Sequence, residues 1–97
     1  MTPPIRRLVL DVLKPSDPDI LEVTAVVADC SAVDSVNAVL VETDREVQTL
    51  KMTVAGGDLD AEEIEATIQD AGGSVHSIDQ VICGDRVVEQ SPTPQDR

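Results

Sequence analysis

The side chains of this chain that could do chemistry are mostly carboxylates. Among 97 residues there are 19 Asp and Glu, seven Lys and Arg, one His and two Cys. His76 is the lone imidazole, and Cys30 and Cys83 fall at the ends of expected elements. No Ser-His-Asp or Cys-His set is supported, because that chemistry needs nucleophile, base and orienting acid in one constellation. The ligand that carboxylates suit is a hard divalent cation such as Ca²⁺ or Mg²⁺, which takes several oxygen donors. Asp11, Asp79, Glu42 and Asp44 lie near strand ends, and Asp58 and Asp60 flank a loop. There is no Asp-x-Asp-x-Asp-Gly loop, so a cation would need ligands from separate elements or subunits. Asp11, His76 and Asp79 are the candidate metal residues on this reading. The plainer account is that 19 acids on a small surface make chance clusters of solvated carboxylates. No other cofactor and no catalytic residue is expected.

The two cysteines form no Cys-x-x-Cys pair. In a reducing cytosol they read as small buried hydrophobes rather than a disulfide or metal ligands. The formal net charge is −12, and Lys14 and Lys51 are the only lysines. Such a surface suits a cytoplasm held at high salt, where screening is strong. In dilute buffer the same charges repel and destabilise the compact state. Nucleic acid is disfavoured as a partner: there is no basic patch for phosphates and no aromatic residue for base stacking. The N-terminus lacks the apolar run of a signal peptide, and no stretch approaches the length of a membrane helix. A cytoplasmic protein without membrane contact is expected.

Six elements must position these groups. Ile5 to Leu13 reads as a strand with Leu8, Leu10 and Val12 on one face and Arg7, Val9, Asp11 and Leu13 on the other. After a Lys14-Pro15-Ser16 loop, Asp17 reads as a helix cap with Pro18 in the first turn. Ile20, Val23, Val27 and Cys30 follow at helical spacing, with Val26 beside them and an end near Cys30. Ser35 to Thr43 and Val47 to Ala55 read as a hairpin around Asp44-Arg45-Glu46, with Val36, Ala38, Leu40, Leu50, Met52 and Val54 under the helices. Gly56-Gly57-Asp58 breaks that strand. A second helix then opens on Asp60, with Glu63 as capping-box partner and Leu59 and Ile64 as a staple. Its stripe is Ala61, Ile64, Ile68 and Ala71, and Gly72-Gly73 ends it. A last strand starts at Ser74 or Val75, and Val81 to Cys83 is expected to turn at Gly84-Asp85 and pair with Arg86 to Val88. Residues 1–88 make one domain, and 89–97 read as a loose polar tail.

Two β-α-β units with right-handed crossovers and a central hairpin give an α+β, ferredoxin-like β-α-β-β-α-β sandwich. Its antiparallel sheet order is 4-1-3-2, with both helices on one face and a short extra C-terminal strand. The open face would carry Arg7, Val9, Asp11, Leu13, Asn37, Val39, Val41, Thr49, Lys51, Thr53, His76 and Ile78. About half of these are apolar, which is too many for a comfortable monomer. With no Phe, Tyr or Trp the core is thin as well. On that open face Asp11 and His76 are expected to be close neighbours.

The run Ile5-Arg6-Arg7-Leu8-Val9-Leu10-Asp11-Val12-Leu13-Lys14-Pro15 is distinctive. So are Val36-Asn37, the stretch Gly72-Gly73-Ser74-Val75-His76-Ser77-Ile78-Asp79-Gln80-Val81, and the ending Thr93-Pro94-Gln95-Asp96. Together they resemble a small archaeal family called domain of unknown function 211, over nearly the whole chain. The resemblance implies a ferredoxin-like fold and a cyclic homo-oligomer, with no established activity and no catalytic motif to transfer. The fold hosts unrelated functions, so each must be sought at its own site. The first β-α loop has no thiol for soft-metal carriage, and no Gly or Arg for a phosphate cradle. Two classes stay open: a non-catalytic oligomeric binding or regulatory module of a halophilic cytoplasm, and a divalent-cation-dependent protein or enzyme whose carboxylate site forms between subunits.

Overall fold

In the computed structural model, which describes residues 2–86, the element order is β1 (Ile5–Pro15), α1 (Ile20–Ala28), β2 (Val33–Thr43), β3 (Val47–Gly56), α2 (Ala61–Asp70) and β4 (Ser74–Cys83). The four strands form one antiparallel sheet in the order β2-β3-β1-β4. This is the α+β, ferredoxin-like arrangement expected, read from the opposite edge.

Alternation along β1 builds the floor of the core. Leu8, Leu10 and Val12 stand directly across from Val54, Met52 and Leu50 of β3, and all six side chains are buried. Val23 and Val27 of α1 and Ile64 and Ile68 of α2 close over them, with Cys30 and Leu59 at the margin. Aliphatic side chains and one Met therefore fill the space that aromatic rings take in other small domains. The alternation continues past the expected strand end. Lys14, read as the start of a loop, belongs to β1 and points to the buried face.

Both helices start on an aspartate, one of them two residues later than expected. Asp19, not Asp17, caps α1: its side chain accepts from the Glu22 amide at 3.0 Å. Both aspartates flanking Pro18 have cap chemistry, and local composition does not rank them. The helix stops at Ala28, so Cys30 lies beyond its C-cap, Asp29. At α2, Asp60 accepts from the amides of Glu62 and Glu63, each at 3.1 Å. The Glu63 carboxylate does not turn back to make the expected box with Asp60. It accepts from Ser31 N at 3.2 Å and Ser31 Oγ at 3.4 Å, tying α2 to the turn before β2.

Two glycines are required by what surrounds them. Gly72 has φ +96 at the end of α2, the conformation that side chains disfavour. Gly56 is the last residue of β3 rather than its breaker. A Cβ there would drive into the Ala32 carbonyl and the Leu59 side chain.

The edge strands are irregular. The pairing of β4 with β1 slips three times, leaving His76 and Asp79 as extra residues on β4 and Arg6 as one on β1. Along β2 it slips at Asp34 and Val41. These slips change faces. Ile78, expected on the open face, is directly across from buried Leu10 and so stands on the helix side. Val81 is likewise across from Leu8. The helices do not reach far enough to cover either: Ile78 is 55% exposed and Val81 49%. At the opposite edge Leu40, across from fully buried Leu50, is 47% exposed. Exposed apolar surface thus collects along both edges of the helix side, as well as on the open face, where Val39 is exposed. Most of the expected extra C-terminal strand and all of the tail lie outside the described residues.

Candidate binding cleft at the bulges of the fourth strand

Asp11 lies midway along β1, half-buried, with Lys51 of β3 across from it on one side and Ser77 of β4 on the other. The expected partner, His76, is the extra residue next to Ser77. The slip that follows Val75 gives the direct position to the serine. Ser77 in turn donates from Oγ to Oδ1 of Asp79 at 2.7 Å. Ser77, a residue whose short side chain gave no sequence signal, therefore lies across from Asp11, next to His76 in the chain and hydrogen-bonded to Asp79. Among the described residues no three of His, Cys, Asp and Glu are grouped so that they could hold a metal ion.

His76 also borders a cavity of about 270 Å³ between β4 and the first turns of α2. Leu8, Leu10, Val75 and Ile78 make its apolar floor, and Glu62 and Glu65 stand on the helix side. The Asp60 cap fixes where α2 begins, and the i, i+3 spacing of the two glutamates puts them on one face. The sequence contained that spacing, but Glu62 sits inside a helix-start signature, where acidic residues are expected for the helix dipole alone. The bulge matters to the cleft because two extra residues on one strand turn the backbone locally and re-aim its side chains. The arrangement offers an apolar bed, two carboxylates, an imidazole and a hydroxyl. It can bind a ligand. It contains no nucleophile paired with a base.

The cysteines part company. Cys30 is buried, and its thiol donates to Thr67 Oγ1 at 3.3 Å, joining the segment after α1 to α2. Cys83, expected to be a small buried hydrophobe, is exposed at the end of β4. The Gly84 amide beyond it bonds to the Pro4 carbonyl at 2.8 Å and holds that corner to the start of β1. No helix among the described residues is long and apolar enough to cross a membrane.

A four-stranded sheet in this order under two helices, with a bulged edge strand bearing the chain's only histidine, defines a ferredoxin-like protein with a cleft beside that strand. Its sequence matches the family model of domain of unknown function 211, described as uncharacterized ArCR, over residues 6–97, and the chain belongs to that archaeal family. It is similar to the uncharacterized protein MJ0319 of Methanocaldococcus jannaschii, at 43% identity over 93 residues, covering 96% of each chain.

Proposed function

We propose that the protein is a non-catalytic, oligomeric binding or regulatory module of a halophilic cytoplasm. The observation that carries this reading is the exposed apolar surface on the helix side of both edge strands, Leu40 at one edge and Ile78 and Val81 at the other. Exposed apolar side chains at both edges suit an interaction surface. Two different sticky edges on one subunit suit head-to-tail contact, which closes into a ring when the rotation permits. The −12 charge gives that association its salt dependence, because like charges on neighbouring subunits must be screened. Sedimentation equilibrium in molar and then millimolar KCl tests the reading. An oligomer that dissociates or loses order as salt falls is the expected result. A stable folded monomer in both would refute it.

One observation favours a second reading, in which a divalent cation is held between subunits. Glu62, Glu65 and His76 border one cavity, and oxygen donors from a neighbour would complete a Ca²⁺ or Mg²⁺ shell. Calorimetric titration with each cation in molar KCl decides it. Saturable binding that Glu65→Gln weakens supports the cation. No heat of binding from either cation eliminates it.

A further inference from the structure

Lys14 is a buried charged side chain, 1% exposed, at the end of β1. Lysine is almost never fully buried unless it is paired. Here the ammonium donates to the Pro15 carbonyl at 2.6 Å and to Gln48 Oε1 at 2.8 Å. An ammonium has three N–H donors. The third has no acceptor, and no carboxylate pairs with the charge, among the described residues. An apolar residue here would simply continue the series Leu8, Leu10, Val12. A buried cation without a counter-charge is costly to keep, so its partner should come from outside the described residues.

A cavity of about 230 Å³ adjoins it, where the end of β1, the β2–β3 hairpin and the α2–β4 turn meet. Lys14 and Glu46 bring opposite charges to its wall, Ser74 brings a hydroxyl, and Leu13, Pro15 and Val47 bring apolar surface. A phosphate finds only one cation there and is repelled by Glu46. A simple amine leaves Lys14 unanswered. A zwitterion with a short apolar chain meets all three features. We propose that this cavity binds a small aliphatic α-amino acid, with its carboxylate on the free N–H of Lys14, its ammonium toward Glu46, and its side chain on Leu13, Pro15 and Val47. The proposal gives the binding role above a ligand class, yet stands apart from assembly: a monomer that binds the amino acid would sink the oligomer reading and leave this one intact.

The test is an amide NMR titration of the full chain in molar KCl with three probes: L-leucine, 4-methylpentanoate, which lacks the ammonium, and isopentylamine, which lacks the carboxylate. Leucine is expected to shift the amides of Lys14, Val47 and Ser74 and to bind about tenfold tighter than either analogue, the worth of one charge-assisted contact. Glu46→Gln, on an exposed hairpin, is expected to fold normally and to erase the preference for leucine over 4-methylpentanoate. Lys14→Met is expected to abolish binding of both carboxylates. Should that variant fail to fold, the three probes and Glu46→Gln decide the matter alone. Leucine causing no local shifts at millimolar concentrations overturns the proposal. So do shifts confined to the His76 cleft, and isopentylamine binding as tightly as leucine.

Discussion

Leu40 and Leu50 face each other across the β2–β3 ladder, yet Leu50 is fully buried and Leu40 is about half exposed. The pair marks the limit of the helix layer: one step toward the edge, the same face of the sheet is bare. Substitutions on the two sides of that limit should differ in kind. Met52→Ala, inside it, is expected to lower stability by about 2–5 kcal/mol through the lost side chain and the cavity left behind. Leu40→Ala should cost about 1 kcal/mol or less in the isolated chain but weaken self-association. Urea denaturation, read beside sedimentation of the same samples, separates the two effects. Equal losses of stability, with association unchanged, would remove Leu40 from any interface.

Gly56 and Gly57 are neighbours with opposite tolerances. A Cβ on Gly56 meets the Ala32 carbonyl and Leu59, whereas one on Gly57 meets nothing within 4 Å. Gly56→Ala is expected to destabilise by about 1–3 kcal/mol or more through overpacking, and Gly57→Ala to change stability by about 0.5 kcal/mol at most. Thermal unfolding of both variants checks this, and a harmless Gly56→Ala would contradict the packing described at the start of β2.

The Asp60 cap and the Glu63–Ser31 contact make separable contributions. Asp60→Ala is expected to cost about 1 kcal/mol, the usual value of a lost N-cap. Glu63→Ala should instead loosen the turn before β2, seen as faster hydrogen exchange at the Ser31 amide with α2 intact. Exchange at Ser31 that does not change would show that the contact adds no protection.

Thiol chemistry distinguishes the two cysteines. Cys83 is exposed and Cys30 buried, so an aromatic disulfide reagent should modify one thiol per native chain and a second only on unfolding. The Cys83→Ser variant should show no rapid phase. Rapid labelling of Cys30 in that variant would mean that the helix layer opens readily.

Heating in increasing KCl probes the net charge. Raising salt from about 0.1 M to 1 M shortens the screening length from roughly 10 Å to 3 Å. Nineteen acids against seven Lys and Arg should then repel less, and the unfolding midpoint should rise. A flat or falling midpoint would argue against adaptation to high salt.

Period-two and helical spacings were enough to place six elements, their order in the sheet and most of the core, because each apolar stripe had one surface it could cover. The exceptions have physical causes. Lys14 sits in step with Leu8, Leu10 and Val12, and parity alone argued for its burial, but a lysine before a proline reads as a loop. Ile78 and His76 were misplaced because a register slip at a bulge shifts every face assignment beyond it, and neither residue type announces one. Glu62 was hidden because acids in a first helical turn already have a reason to be there, and Glu65 reads as one more acid on an exposed helix face. Ser77 had no signal of its own; only pairing brings it between Asp11 and Asp79.

The slips at Asp34 and Val41 on one rim, and at His76 and Asp79 on the other, have a consequence for how copies of this chain could meet. Each extra residue interrupts the even row of outward amides and carbonyls that another strand would need as a template. Continuous strand-by-strand growth into a fibre is therefore hindered at both rims, although the edge strands are long, 11 residues in β2 and 10 in β4, and partly bare. Contact has to pass through side chains, whose hold weakens or strengthens with the solvent. For an acidic protein with apolar edges, that favours finite, reversible assemblies set by ionic strength.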